Sequence, residues 1–173
     1  MIQELKVKKA IKGNEQAFEE LINDCKENLY KTAFAYVKNE EQALDIVGET
    51  IYKAYTSIEK LKEPKYFNTW ITRILINTTL TYIKKNSRIV YLEDNVTIKD
   101  IPCKQQDLVE KMYIWQAIDS LEHKHKEIII LKYFDDLTVS EISKVLDYPI
   151  GTVKTYLNKA LTKLRSFMRE DVM

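Results

Sequence analysis

The chain is poor in the residues that interrupt helices. Its 173 residues include only three Gly and three Pro, too few for an all-β fold, which needs a turn about every ten residues. Long helices with few connections are expected, an all-α class. Cysteine is scarce too. Cys25 and Cys103 stand far apart, match no metal or redox spacing and are too few for a disulfide framework, so they read as buried free thiols in a reducing compartment. A formal net charge of +1 excludes a uniformly basic coat, and any nucleic-acid surface must be a local patch. No uncharged apolar run is long enough to span a bilayer, and Met1 to Ala10 lacks the apolar core of a signal peptide, which places the protein in the cytoplasm. There is no Gly-rich phosphate loop. Ser, His and Glu are scattered without a nucleophilic or metal motif, so no enzyme, cofactor or metal is expected. His123 and His125, two apart, do not share a helix face and are assigned to the surface.

What is there is helical periodicity. Phe18, Leu21, Ile22, Cys25, Leu29, Ala33 and Val37 recur at spacings of three and four, predicting an amphipathic helix from Glu15 that stops near Asn39. A second helix is predicted from Glu40 to Leu61, with Leu44, Val47, Ile51, Ala54, Tyr55 and Ile58 inward and Glu41, Asp45, Glu49 and Lys53 outward. Pro64 ends it. A third, from Tyr66 to Lys85, buries Trp70, Ile71, Ile74, Leu75, Thr78 and Tyr82. Its other side carries Thr69, Arg73, Asn77, Thr81 and Lys84 as a ridge without a carboxylate. Lys65 to Arg88 holds five basic residues and no acidic one.

Between residues 86 and 107 the periodicity disappears, and Asp94, Asn95, Asp100 and Pro102 interrupt any helix. A segment of this length without structure is unusual inside a compact domain. The expectation is therefore two small helical domains, 1–85 and 108–173, joined by a flexible linker. Leu108, Met112, Trp115, Ile118 and Leu121 restart the pattern, followed by a short helix with Ile128, Ile129, Leu131 and Phe134.

The last two predicted helices are separated by Asp147, Tyr148 and Pro149. Thr138 or Ser140 caps a short helix that turns Val139, Ile142, Val145 and Leu146 inward. A longer helix then buries Ile150, Val153, Leu157, Ala160, Leu161 and Leu164. A break of three or four residues is what a helix-turn-helix requires. The outward face of its second helix, Lys154, Thr155, Asn158, Lys159 and Thr162, offers cations, an amide and hydroxyls but no acid, which suits a major groove. Leu137 to Arg169 holds six basic residues and two acidic ones. Helical hairpins with a lysine-rich face that never meet DNA share these features.

Several stretches together resemble one family: Asp45-Ile-Val-Gly-Glu49, Tyr66-Phe-Asn-Thr-Trp70, Ile74-Leu-Ile-Asn77, Leu137-Thr-Val-Ser-Glu141-Ile142 and Pro149-Ile-Gly-Thr-Val-Lys154. In this order, across nearly the whole chain, they resemble the extracytoplasmic-function sigma factors. That resemblance implies a non-catalytic protein that binds core RNA polymerase and directs it to promoters, reading the −35 element as duplex and the −10 element as melted strand.

By the same resemblance, Lys154, Thr155, Asn158 and Lys159 match the −35 reading positions. Asn77 matches the residue that helps hold a flipped base, with Arg73, Thr81 and Lys84 beside it on the ridge. Trp70 lies where the family places an aromatic near the melting site, while its spacing favours a core position. Asp45, Glu49, Tyr52 and Lys53 match the docking surface for the coiled-coil clamp of the polymerase's largest subunit. Two positions depart from the family: Gly48 replaces the usual Gln, and Thr81 the usual Asp or Asn. The resemblance also implies a membrane-anchored anti-sigma factor as partner. The alternative is a stand-alone helix-turn-helix regulator that binds an operator, which would need a ligand pocket or dimer interface in its N-terminal half.

Overall fold

Two asparagines set the helix starts of the N-terminal half. The Asn14 side chain accepts a hydrogen bond from the Ala17 amide at 2.8 Å, and Asn39 does the same for Gln42 at 2.9 Å, each satisfying a donor the helix itself leaves unpaired. In the computed structural model, which describes residues 2–87 and 114–170, these caps open α2 (Glu15–Val37) and α3 (Glu40–Ser57). Asn39 was expected to stop the first of these; the stop is Lys38, whose φ of 54° is left-handed and whose amide closes on the Phe34 carbonyl.

An additional helix, α1 (Ile2–Ile11), precedes them. Gly13, at φ 86°, turns the chain back so that α1 lies on α2, with Val7 and Ala10 buried and Lys6 held by Glu20 at 3.2 Å and Asp24 at 3.1 Å. After α3 come two 3-10 turns, Ile58–Lys60 and Pro64–Tyr66, and then α4 (Phe67–Ser87). Phe18, Leu21 and Leu29 of α2, Ile46 of α3, and Phe67, Ile71 and Leu75 of α4 form one core. Cys25 is half-buried at its edge.

The buried stripe of α3 is rotated from the expected one. Leu44 and Tyr55 are 55% and 48% exposed, and the core side takes Ala43, Ile46, Val47, Thr50 and Ala54. Small residues let α3 pack closely, and the Thr50 hydroxyl is satisfied by donating to the Ile46 carbonyl at 2.7 Å. Tyr55 lies over the rim, its ring edge 5.3 Å from Phe18 and its hydroxyl donating to Glu15 at 3.0 Å.

In the second half, residues 114–119 are helical (α5), followed by α6 (His123–Tyr133), α7 (Val139–Leu146) and α8 (Ile150–Glu170). Ile128, Ile129, Ile130 and Leu131 are all buried, so α6 is enclosed on every side over that turn. Ile118, Leu121, Ile129 and Ala160 form a cluster edged by Trp115, Phe134, Leu157, Leu161 and Leu164, with Trp115 stacked on Phe134 at 5.1 Å. Among the described residues no strand occurs.

The chain divides into two compact units, Met1–Val96 and Thr97–Met173. The expected linker, 86–107, lies outside the described residues except for its first two positions, which belong to the last turn of α4. Cys103, Leu108 and Met112 also lie outside them.

Candidate nucleic-acid interfaces and docking face

The helix-turn-helix is built from its caps inward. Thr138 and Glu141 form a reciprocal box: the Glu141 amide donates to Thr138 Oγ1 at 3.3 Å, and the Thr138 amide donates to Glu141 Oε2 at 2.9 Å. At the other end of α7, Asp147 adopts φ 54°. The Tyr148 amide donates to the Ser143 carbonyl at 3.1 Å, and Ser143 Oγ donates to the Tyr148 carbonyl at 2.6 Å. Three residues, Asp147 to Pro149, thus join α7 to α8, as the helix-turn-helix pattern requires.

Ile142, Val145, Val153 and Ala160 are the buried contacts that fix α8. Lys154, Thr155, Asn158, Lys159 and Thr162 are all exposed on its far side. From Ile150 to Arg169 the sequence has no carboxylate, so this face presents donors and positive charge to an approaching anion. Thr155 Oγ1 donates to the Gly151 carbonyl at 2.9 Å and Thr162 Oγ1 to the Asn158 carbonyl at 2.9 Å. These hydroxyl protons are committed to the helix backbone. Ile150, expected in the core, is 48% exposed: the buried stripe begins one turn later, at Val153.

Behind α8 lies a polar cluster that the sequence did not announce. Glu127 of α6 is 5% exposed, and burial pushes its carboxyl above the usual carboxylate range, with His123 and Lys124 pulling the other way. Tyr148 is raised as well, by burial and then by the negative charge of Glu127. Tyr156 packs edge-on against both His125 at 5.1 Å and Tyr148 at 6.2 Å. His123 is on the surface as expected. His125 is not: its side chain is only 12% exposed. No group of three potential metal ligands occurs among the described residues.

In the N-terminal unit the ridge of α4 keeps Arg73, Asn77, Thr81 and Lys84 exposed. Thr69 departs from it and is buried. Steps of four advance about 40° around a helix of 3.6 residues per turn, so the first member of the row rotates toward the core. Thr81 Oγ1 donates to the Asn77 carbonyl at 2.7 Å. Trp70 is half-buried, packs on the core and meets Phe67 at 6.0 Å, in agreement with the core reading of that residue.

On α3, Asp45, Glu49 and Tyr52 are exposed, whereas Lys53 is half-buried and tied at both sides: its Nζ lies 3.0 Å from Glu49 Oε1 and donates to Thr78 Oγ1 at 3.2 Å. Lys53 therefore orients Glu49 and joins α3 to α4. Leu44, Gly48 and Tyr52, four apart, form an exposed row beside the two acids, so the face is partly apolar. Leu44 was missed because its bulk suggested a core position; the Ala43, Ile46, Val47, Thr50, Ala54 pattern was the signal that could have found it.

Comparison with known proteins matches residues 21–89 to Sigma-70 region 2 and residues 111–164 to Sigma-70, region 4. The RNA polymerase sigma factor SigV of Bacillus subtilis is 36% identical over 152 residues, covering 87% of this chain and 91% of that protein. The ECF RNA polymerase sigma factor SigW of the same organism is 28% identical over 179 residues, covering 95% and 96%. Among solved structures, the sigma factor RpoE in complex with the anti-sigma factor NepR from Bartonella quintana aligns with a TM-score of 0.76 at 21% identity, over 88% of this chain and 96% of that one. CnrH in complex with the cytosolic domain of CnrY aligns with a TM-score of 0.75 at 20% identity, over 98% of each. At these identities the two structural likenesses speak to the helical fold alone.

Proposed function

The chain belongs to the extracytoplasmic-function RNA polymerase sigma factors, and on that premise we propose which of its surfaces meets each partner. A sigma factor binds core RNA polymerase and directs it to promoters. In this chain, Lys154, Thr155, Asn158 and Lys159 of α8 face the −35 duplex, with Asn and Lys pairing to base edges or phosphates. Arg73, Asn77, Thr81 and Lys84 of α4 take the melted −10 strand, and Trp70 supports that helix from the core side. Asp45, Glu49 and Tyr52 of α3, joined by Leu44 and oriented through Lys53, meet the coiled-coil clamp of the largest polymerase subunit.

The observation that carries this assignment is the pairing of two exposed carboxylate-free faces, one in each unit, with a third face that is acidic and partly apolar. The chain acts by binding and positioning; the polymerase makes the bonds. Residues 1–85 and 108–173 are proposed as the two working domains, with the intervening stretch as their tether. The site of action is the cytoplasm, and among the described residues no helix is long and apolar enough to cross a membrane. A membrane-anchored anti-sigma factor is the proposed inhibitor. A stand-alone operator-binding regulator is not favoured, given 36% identity along 91% of a sigma factor.

The test is transcription in vitro with core polymerase over fragmented genomic DNA, with start sites mapped. Discrete starts are expected. Lys154→Ala should lose initiation at −35-dependent sites, and Asn77→Ala should keep core binding but lose permanganate-reactive thymines in the opened region. Failure of the wild-type chain to associate with core polymerase at moderate salt overturns the assignment. For the inhibitor, candidate membrane proteins are mixed with the chain and core binding is assayed; unchanged binding removes each candidate.

A further inference from the structure

We propose that Ile150 is a base-reading residue of the duplex face, recognising the 5-methyl group of a thymine. The proposal rests on the assignment of α8 to duplex DNA and adds an apolar reader to it.

The apolar periodicity of α8 places Ile150 in the core, and the structure does not. Val153, one turn on, is fully buried, while Ile150 is 48% exposed, with Pro149 and Gly151 exposed beside it. Side chains of a helix lean toward its N-terminus. The branched side chain of Ile150 therefore projects at the leading end of α8, the end whose residues contact base edges when a recognition helix enters the major groove. Ile150, Lys154 and Asn158 follow one another at four-residue steps, so the isoleucine heads the row that carries two of the assigned polar readers.

The surroundings are open. A Cβ built on Gly151 meets no described residue beyond its chain neighbours and its own helix backbone within 4 Å, so the helix surface next to Ile150 is open there. Thr155, exposed beside Lys154, has its hydroxyl proton committed to the Gly151 carbonyl. The leading turn thus offers a branched apolar group where a hydrogen-bond donor is not available from Thr155. The complementary group on a major-groove base edge is the thymine methyl, since every other exposed group there is a polar donor or acceptor apart from ring carbon.

The experiment uses the holoenzyme formed from the full chain and core polymerase. Duplexes randomised over the upstream element are selected for binding from two pools, one containing thymidine and one deoxyuridine, which keeps the pairing and the O4 acceptor and lacks only the methyl group. The wild-type chain is expected to enrich thymine at one position and to bind the selected duplex about fourfold more tightly than its single-deoxyuridine counterpart, the equivalent of one buried methyl group. Ile150→Ala should bring that ratio close to one, whatever its affinity for either duplex alone, and Ile150→Val should fall between. A thymine-to-uracil ratio unchanged in Ile150→Ala, or a ratio of one in the wild type, overturns the role of Ile150 and leaves the duplex assignment standing. Absence of any enriched upstream sequence with the wild type overturns the duplex assignment itself.

Discussion

His123 Nδ1 lies 3.6 Å from Oε1 of Glu127, a carboxylate whose side chain is only 7% exposed behind the recognition helix. Burial raises the Glu127 carboxyl above its usual value, and the attraction of His123 and Lys124 offsets this only in part. The folded state consequently holds the proton more tightly than the unfolded chain. The stability gained from protonation is complete below the unfolded value and is lost as pH rises through the raised folded one. Above that raised value the unit carries an ionised buried carboxylate. Glu127→Gln should therefore gain unfolding temperature relative to the wild-type C-terminal unit as pH rises, and its advantage should shrink as pH falls toward the acid range. Calorimetry of both proteins across that interval checks the sign; a wild-type protein that gains nothing relative to Glu127→Gln on acidification removes the argument.

Gly48 presents the opposite case, a helix glycine whose place no described neighbour requires to be empty. It is exposed in the middle of α3, and a Cβ built there meets nothing within 4 Å. Gly48→Ala should stabilise the helix by about 1 kcal/mol, the intrinsic difference between the two residues, as read by thermal unfolding. No described residue occupies the space that a methyl group would fill, which leaves it open to the docked polymerase of the proposed assignment. The same variant is expected to bind core polymerase more weakly despite its greater stability, and equal or tighter binding in a direct titration would show that the polymerase does not approach this position closely.

These two residues also mark where the sequence was legible and where it was not. Long helices with a regular apolar stripe, such as α2 from Phe18 to Val37, are plain in the spacing because their core face is made of large side chains. The stripe of α3 was misread where Ala43 and Thr50, not Leu44 and Tyr55, face the core, since a small residue or a back-bonded hydroxyl is as well suited to close packing as a leucine. α1 went unread because only Val7 and Ala10 are buried, while Ile2 and Leu5 point to solvent. The polar faces of α4 and α8 were legible as rows without carboxylates. Thr69 and Ile150 escaped because each sits at the end of its row, where helical precession or the end of the core decides exposure. Glu127 had no signal of its own; the enclosed run Ile128 to Leu131 beside it was the available hint that α6 is central.

The box between Thr138 and Glu141 holds the first helix of the helix-turn-helix at its entry. Thr138→Ala removes the side-chain acceptor of the Glu141 amide and the hydroxyl that donates to Glu141 Oε2 at 2.7 Å. A loss of about 1 kcal/mol is expected in urea unfolding. Because no residue of the α8 face changes, affinity for a selected −35 duplex should fall only through the population of folded unit, with the same preferred sequence. A changed preference would mean that the cap also fixes the angle at which α8 is presented.

Lys159 and Asn158 are neighbours on α8 with different expected roles. A lysine that meets a phosphate releases counterions and carries no sequence information, whereas an amide that meets adenine does the reverse. Lys159→Ala should reduce the slope of log affinity against log salt by about 0.9, one phosphate contact, and leave the selected sequence unchanged. Asn158→Ala should leave that slope as it is and relax the preference at a single base pair, at a cost of about 1–3 kcal/mol against the selected duplex. Binding titrations of both variants across a salt series, on the selected duplex and on single-base substitutions of it, separate the two. A Lys159→Ala protein with an unchanged slope and a relaxed preference at one base pair would instead place Lys159 on a base edge, donating to guanine.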